Sequence, residues 1–270
     1  AFYKVMRSLS KKHFARVRKA FLQCTMCHYL DTKIAKNVRK RAGEVFKQFK
    51  DIHRGHVGCM KRKYYKHRDK GKHPRYNPNY LSVIVDGMDQ SKTQIPRMGR
   101  MPKSLDGCEQ LKFHVTGVIV HGHMHALYTW VDNFPKDPNV TCTVPMEMMK
   151  DLMKLHGPAW KWPRCLLLQL DNCSGENKNQ LLMQFLCAWV YFGVFDRIKL
   201  SFLLVGHTHE DIDQLFSRLS IKWGPQDIWS LDQLVHFAMQ EFYGQTTRAE
   251  QREERLQCQE MDEDEVKYAL

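Results

Sequence analysis

The stretch from Arg164 to Asn179 constrains the fold of this chain more than any other. It contains an apolar run, residues 166–170, that is interrupted only by Gln169 and is too short for a typical helix. Pro163 precedes the run and an Asp-Asn pair follows it, which predicts a buried strand that ends at Asp171. Functional groups of open sheets lie where strands end, so Asp171 is either a turn residue bonded to its own backbone or a cation ligand.

Two other apolar runs also end next to acidic residues. The first, residues 81–85, is rich in β-branched side chains and leads directly into Asp86. The second, residues 200–205, is followed by Gly206 and then by the segment His207-Thr-His-Glu-Asp-Ile-Asp. Three predicted strand ends therefore carry acids, which favours a shared cation site over three unrelated turns.

The order of the predicted elements indicates the fold class. Three strands come first, and helices and strands then alternate: strands at 81–86, 111–121 and 124–132, a helix at 144–156, the strand ending at Asp171, a helix at 178–193, a strand at 198–205 and a helix from about 209. The succession β-β-β-α-β-α-β-α predicts an α/β fold with a mixed five-stranded sheet and helices on both of its faces.

Positive charge is concentrated at the start of the chain. Residues 1–80 hold 23 Lys and Arg against 4 Asp and Glu, whereas the whole chain has a net charge of +13. Aromatic residues are interspersed among these cations, so the segment is either a solvated lysine-rich surface or the contact surface for a polyanion such as nucleic acid. We therefore expect three regions: a basic, mainly helical region at 1–78, a folded domain at 79–245, and an acidic helical or frayed tail at 246–270.

The nine cysteines form no dense framework, which predicts reduced thiols in a nucleus or cytosol. Cys24 and Cys27 have the CxxC spacing that suits two thiolates on one tetrahedral zinc ion. His53, His56 and Cys59 are the candidates for completing this structural zinc site, with His56 and Cys59 preferred. The alternative is that Cys24 and Cys27 are two ordinary thiols.

The longest apolar run, Leu181 to Phe195, contains Gln184 and is shorter than a bilayer span. It predicts a buried helix, and we expect no membrane association.

Three motifs resemble those of a known enzyme family. They are the first strand ending at Asp86, the segment Asp171-Asn-Cys-Ser-Gly-Glu-Asn, and the segment Glu210-Asp-Ile-Asp-Gln-Leu-Phe. Together, over residues 80–223, they resemble the ribonuclease H-like fold of DDE transposases and retroviral integrases. The third motif is similar to the Asn-Pro-Ile-Glu-His-Leu-Trp helix of mariner-like transposases. More narrowly, Val-Asp-Gly-Met-Asp-Gln-Ser-Lys, Asp-Asn-x-x-x-Glu-Asn-Lys-Asn and Val-Gly-His-Thr-His-Glu-Asp-Ile-Asp resemble an uncharacterised transposon-derived domain of eukaryotic mobile elements.

This resemblance implies DNA strand cleavage and transfer by two Mg²⁺ or Mn²⁺ ions. Asp86 would bridge both ions, Asp171 would bind one and Asp213 the other. Asp213 stands where the family more often has glutamate, and its neighbours Glu210 and Asp211 compete for the third position. The resemblance also implies a nuclear protein that acts as a homo-oligomer on DNA, with transposon ends and target DNA as its partners.

Further residues of the same motifs are expected to support the reaction. Four of them would assist the metal ligands or contact the scissile strand. They are Lys92, Asn172, Glu176 and Lys178. His207 and His209 would cap and support the acids, or orient water or the leaving group.

The sequence is also compatible with two other functions. His207-Thr-His209-Glu-Asp211 matches the start of the HxHxDH zinc motif of metallo-β-lactamase-like hydrolases, although Ile212 stands at its last histidine. The chain would then be a zinc hydrolase. Alternatively, it is a catalytically inactive, transposon-derived module that binds DNA or a protein.

Overall fold

A computed structural model describes the chain from residue 24 to residue 240, except for residues 39, 101, 106, 132–136, 174, 205 and 208–209. The chain divides into two compact units. The first comprises Ala1–Val85, Ile119–Met124 and Asp137–His209, and the second comprises Asp86–Val118, His125–Lys136 and Glu210–Leu270. Residues 1–23 of the predicted basic region and the tail predicted at 246–270 lie outside the described residues.

The described residues form six α-helices and six strands. In chain order they are α1 (Thr25–Lys36), α2 (Arg41–Lys72), β1 (Tyr80–Gly87), β2 (Gln94–Ile95), β3 (Leu111–Val120), β4 (Met124–Val131), α3 (Pro138–His156), β5 (Cys165–Leu170), α4 (Gln180–Tyr191), β6 (Arg197–Phe202), α5 (Asp211–Trp223) and α6 (231–240). No helix in this described part of the chain is both long enough and apolar enough to cross a membrane.

The strands form one mixed sheet in the order β2-β3-β1-β5-β6, and β4 also pairs with β3. β5 pairs in parallel with β1 on one side and with β6 on the other. β2 and β3 are antiparallel. The predicted α/β class and mixed sheet are confirmed, and the sheet has one strand more than predicted because β2 is only two residues long. Such a short strand leaves no periodicity in the sequence.

All six residues of β5 are buried. Its pairing on both edges consumes the backbone N–H and C=O groups, and a parallel strand covered on both faces favours a continuous apolar run over an alternating one. Gln169 is the polar exception, with only 5% of its surface exposed. The apolar run that predicted this strand therefore reflects its central position in the sheet.

Helix α4 differs from the prediction of a buried helix for residues 181–195. Leu182, Leu186 and Trp189 are buried, whereas Leu181 and Tyr191 are exposed. The helix is therefore buried on one side only. Apolar residues on all sides of this helix suggested complete burial. Only the face formed by residues three to four positions apart contacts the core.

Helix α3 begins six residues earlier than the predicted start at 144. Asp137 caps it by accepting hydrogen bonds from the backbone N–H groups of Asn139 and Val140, and Pro138 occupies the first helical position. Both are ordinary helix-start signals. Pro145 obscured them because proline disfavours a helix interior, yet here it lies inside α3.

In the second unit, α5 packs its apolar face on β3. Phe216 lies against Gly117, where an added Cβ would come within 2.8 Å of the phenyl ring. Phe216 is buried and anchors the apolar face of α5 in the core. The helix begins at Asp211 with Glu210 as its N-cap, which is about two residues later than predicted.

The end of α2 is held closely against the sheet within the first unit. The Ser82 hydroxyl on β1 lies 3.0 Å from Nδ1 of His121, and the Tyr64 hydroxyl on α2 lies 3.4 Å from Nε2 of the same ring. All three side chains are buried. Two turns further along α2, Gly71 leaves no room for a side chain, since a Cβ there would lie 2.8 Å from the Ser82 Cβ.

We expect Gly71→Ala to destabilise the protein by about 1–3 kcal/mol, because the new methyl group must displace β1 or the turn after β3. Gly55→Ala, in the same helix, is the matched control, since nothing lies within 4 Å of its Cβ position. That change should be neutral or stabilising by up to about 1 kcal/mol through helix propensity. Urea denaturation measures both, and equal stability of the two variants would contradict the described packing.

Candidate metal centre and strand-end cleft

Two cysteines at the start of α1 face a histidine of α2. Cys24 is the N-cap of α1 and Cys27 lies in its first turn, so the two thiols project from the same helix end. The Cys24 Sγ lies 3.4 Å from Nε2 of His53. The helical hairpin of α1 and α2 thus supplies three metal-binding side chains.

The fourth side chain, His207, comes from the loop after β6. Its Nε2 lies 3.4 Å from the Cys27 Sγ and 3.3 Å from Nε2 of His53. Gly206 brings the loop this close, because a Cβ at this residue would lie 2.5 Å from the Cys24 backbone nitrogen. Its φ of +78° also favours glycine. Any larger residue at position 206 would push His207 away from the cysteines.

The four ligand atoms lie within 4.8 Å of one another, an arrangement that could bind a metal ion such as zinc. Zn–S bonds of about 2.3 Å and Zn–N bonds of about 2.0–2.1 Å, arranged as a tetrahedron, separate two nitrogens by about 3.3 Å and a sulfur from a nitrogen by about 3.6 Å. The observed separations of 3.3 and 3.4 Å agree with those values. The donor set, two thiols and two imidazoles, is that of a closed structural zinc site.

The electrostatics of the cluster also suit a cation. Burial and the neighbouring Cys24 thiol raise the pKa of Cys27. Burial, together with His53 and Lys61, lowers the pKa of His207, which keeps this imidazole in the neutral form that binds metals. A divalent cation would stabilise the two thiolates that their mutual repulsion otherwise disfavours.

This cluster corrects the predicted ligand set. Cys24 and Cys27 are in it, but His56 and Cys59 are not: both are exposed, and Cys59 accepts a hydrogen bond from Arg62 instead. His53, the other candidate considered on α2, replaces them together with His207. No sequence spacing indicates His207, which is 180 residues from Cys27, because only the fold joins the two.

The first two predicted catalytic acids lie at strand ends. Val85 of β1 and Leu170 of β5 are the last paired residues of the two parallel strands, and Asp86 and Asp171 are the next residues in the chain. Each carboxylate accepts the backbone N–H of the following residue, at 2.8 Å for Asp86 and 2.6 Å for Asp171. Both side chains are half-buried, so each retains access to solvent and ligands.

The third predicted acid, Asp213, takes part in a capping box at the start of α5. Its carboxylate accepts the Glu210 backbone N–H at 3.0 Å, and the Glu210 side chain accepts the Asp213 N–H in return. Asp211 occupies the first position of the helix. The three candidates for the third carboxylate are thus a buried N-cap, a half-buried first residue and a half-buried third residue.

The other predicted site residues occupy different environments. Asn172 and Lys178 line a cleft of about 300 Å³ in the first unit, at the carboxyl ends of β5 and β6. The Glu176 carboxylate lies 3.6 Å from the Cys173 thiol, and Lys92 is exposed in the second unit. His209 lies outside the described residues. His56, predicted as a zinc ligand, lines the same cleft.

Comparison with known families gives one match. Residues 103–267, more than half of the chain, match a family described as a domain of unknown function (DUF7869). The chain belongs to the DUF7869 family. The matched DUF7869 region contains Asp171, Asp213 and His207 but neither Asp86 nor the other three residues of the metal cluster. A search of the curated proteins finds no match to this chain.

We expect the purified protein to bind one zinc ion per chain, and Cys24→Ser, Cys27→Ser, His53→Ala or His207→Ala each to abolish stoichiometric binding. Elemental analysis measures the zinc content after dialysis. His56→Ala and Cys59→Ser are the matched controls and should retain the metal, because neither side chain is in the cluster. Loss of zinc in the controls with retention in His207→Ala would show that the predicted ligand set was right.

Proposed function

We propose that this chain is a DDE/D-type polynucleotidyl transferase that cleaves and transfers DNA strands by two-metal-ion chemistry. The observation that carries the proposal is the parallel register of β1 and β5, in which Asp86 and Asp171 directly follow the paired residues Val85 and Leu170. Adjacent strands are about 4.8 Å apart, and the two cations of such sites are about 4 Å apart. Carboxylates that leave neighbouring strands at the same edge therefore suit shared coordination of Mg²⁺ or Mn²⁺.

Each acid has a distinct role in this mechanism. Asp86 would hold both cations, Asp171 would hold one and Asp213, at the start of α5, would hold the other. When bound, the cations would supply activation of the attacking water or hydroxyl and stabilisation of the negative charge on the leaving oxygen. The resemblance of the three motifs to those of DDE transposases and integrases supports this assignment and a ribonuclease H-like arrangement of the sheet.

The charge of the helical hairpin supports nucleic acid as the partner. Helix α2 carries eleven Lys and Arg residues against three Asp and Glu residues over its 32 positions. Such an excess along one helix suits contact with a phosphate backbone. We further propose that the protein acts in the nucleus as a homo-oligomer on transposon ends and target DNA.

We infer a structural role for the metal cluster. Zinc held by Cys24, Cys27, His53 and His207 would tie the α1–α2 hairpin to the loop after β6, all within the first unit. The cluster has no open coordination position once four protein ligands are bound. His207 contacts the Cys27 thiol of α1, which does not support the metallo-β-lactamase-like alternative.

A second candidate function is a binding module without catalysis. It is favoured by the hydrogen bonds that already engage the three carboxylates: Asp86 with Gly87, Asp171 with Asn172 and Asp213 with Glu210. These are the ordinary partners of turn and capping residues. In this function the basic hairpin would bind DNA and the acids would only stabilise the fold.

We expect Asp86→Asn, Asp171→Asn or Asp213→Asn to lower Mg²⁺-dependent strand cleavage by at least about 100-fold, because each change removes a charge that the cations require. Folding should be preserved, since the amide oxygen can still accept each backbone hydrogen bond. The assay is cleavage of a labelled branched duplex, with thermal unfolding measured in parallel.

Asp211→Asn is the matched control for the third acid and should leave cleavage within a few-fold of wild type. The opposite result, with Asp211→Asn inactive and Asp213→Asn active, would move the third ligand to Asp211. Cleavage by none of the proteins, wild type included, would favour the binding module.

We expect DNA binding to weaken steeply with salt and to be largely indifferent to sequence, because each neutralised phosphate releases counterions with a slope of about −0.9 in log K against log salt. Fluorescence anisotropy on two unrelated duplexes between 50 and 200 mM salt, the range over which roughly 10³-fold or larger losses are typical, measures it. A flat response would contradict a phosphate-binding role for α2.

A further inference from the structure

The cleft at the carboxyl ends of β5 and β6 has two chemically different parts. Its volume of about 300 Å³ is at the lower end of the roughly 300–1,000 Å³ typical of small-ligand sites. One part is basic, with Lys63 and His56 from α2 and Lys178 from the segment before α4. The other part combines apolar side chains with the amides of Gln169 and Asn172.

The basic part is suited to a phosphate group. None of the described residues that line the cleft is acidic, so no carboxylate of the lining competes for its cations. Lys63 and Lys178 are exposed and can turn towards a ligand. The Lys178 ammonium lies 4.8 Å from the centre of the Phe202 ring, a cation–π contact that holds it at the cleft wall.

The surroundings add to this positive potential. His67 lies one turn beyond Lys63 on α2, and its pKa is lowered to about 4. Burial is the main cause, and Lys63, Lys199 and other nearby lysines contribute. The positive charge of these lysines, which opposes protonation of His67, would attract an anion to the cleft.

The second part of the cleft is suited to a nucleobase. The amides of Gln169 and Asn172 together offer donors and acceptors for a base edge, and Gln169 is almost completely buried. Ser201 also lines the cleft, and within the described residues its buried hydroxyl has no hydrogen-bond partner. Phe202 and Leu200 supply flat and apolar surface for the face of a base.

A shallower groove continues from the cleft. It has a volume of about 730 Å³, shares Lys178 and Phe202 with the cleft, and runs along the first turns of α4 past Asn179 and Met183. A chain of nucleotides could follow this path, whereas a cleft of about 300 Å³ has room for one nucleotide and not for a duplex.

We propose that this cleft binds one nucleoside phosphate unit, with Lys63 and Lys178 on the phosphate and Gln169 and Asn172 on the base. The unit is either a free nucleotide or an unpaired nucleotide of a single strand. This deepens the proposed function, on which it rests for the choice of nucleic acid as substrate, but binding in the cleft requires none of the three carboxylates.

The experiment measures binding by fluorescence anisotropy, with a labelled ten-nucleotide single strand as the probe and thymidine 5′-monophosphate as the competitor. Mg²⁺ and Mn²⁺ are left out so that the carboxylates contribute nothing. We expect Lys63→Gln and Lys178→Gln each to weaken strand binding at least fivefold. Lys154→Gln is the matched control, since it removes the same charge from an exposed lysine of α3 that pairs with Asp151, and it should stay within twofold of wild type.

A charge-preserving variant separates the cleft from general attraction. Asn172→Ala should weaken binding at least threefold without changing its salt slope, because it removes hydrogen bonds to the base and no cation.

Displacement of the strand by the mononucleotide indicates a free nucleotide as ligand, and strand binding without such displacement indicates an unpaired nucleotide of a strand. Equal affinity of the Lys63, Lys178 and Lys154 variants would overturn the proposal.

The two proposals can fail separately. If the lysine variants lose strand binding while no protein cleaves DNA, the cleft stands and the catalytic function fails. If Asp→Asn variants lose cleavage while the cleft variants bind and cleave as wild type does, the catalytic function stands and the cleft proposal is wrong.

Discussion

The parallel pairing of β5 with β1 on one side and β6 on the other is the constraint on which the rest of the first unit depends. All six residues of β5 are buried, so a shift of its register by one residue would draw the charged flanking residue Arg164 or Asp171 into the buried part of the sheet. That register brings the ends of β1 and β5 level and places Asn172 beside the end of β6. The strand-end acid Asp171, the cleft and the loop to His207 all follow from the same pairing.

The metal cluster links segments of the same unit that are far apart in the sequence. It joins the start of α1 and the middle of α2 to a loop 180 residues after Cys27. A bound ion would stabilise this closure because the ligands are far apart in the unfolded chain and form no site there. Gly206 makes it sterically feasible, and the buried Tyr64–His121–Ser82 contacts fix the other end of α2.

The charges of the molecule divide between its elements in a way that suits a nucleic acid. Helix α2 carries an excess of cations, and Asp86 and Asp171 come directly after the last paired residues of β1 and β5. The acids also cap turns and a helix, and these structural roles are compatible with metal binding because a carboxylate has more than one lone pair.

The sequence by itself determined the types of the longer elements, because a buried strand such as β5 appears in it as a short apolar run bounded by turn residues. The same runs placed Asp86 and Asp171 at strand ends. It also identified Cys24 and Cys27, whose spacing is local. Only the tertiary structure decided the rest of the metal cluster, since His53 and His207 join it through packing of distant segments and not through spacing. The tertiary structure also decided the cleft. Lys63 and Asn172 both line it because α2 packs beside the ends of β5 and β6, and hydrophobic periodicity in the sequence does not predict this packing.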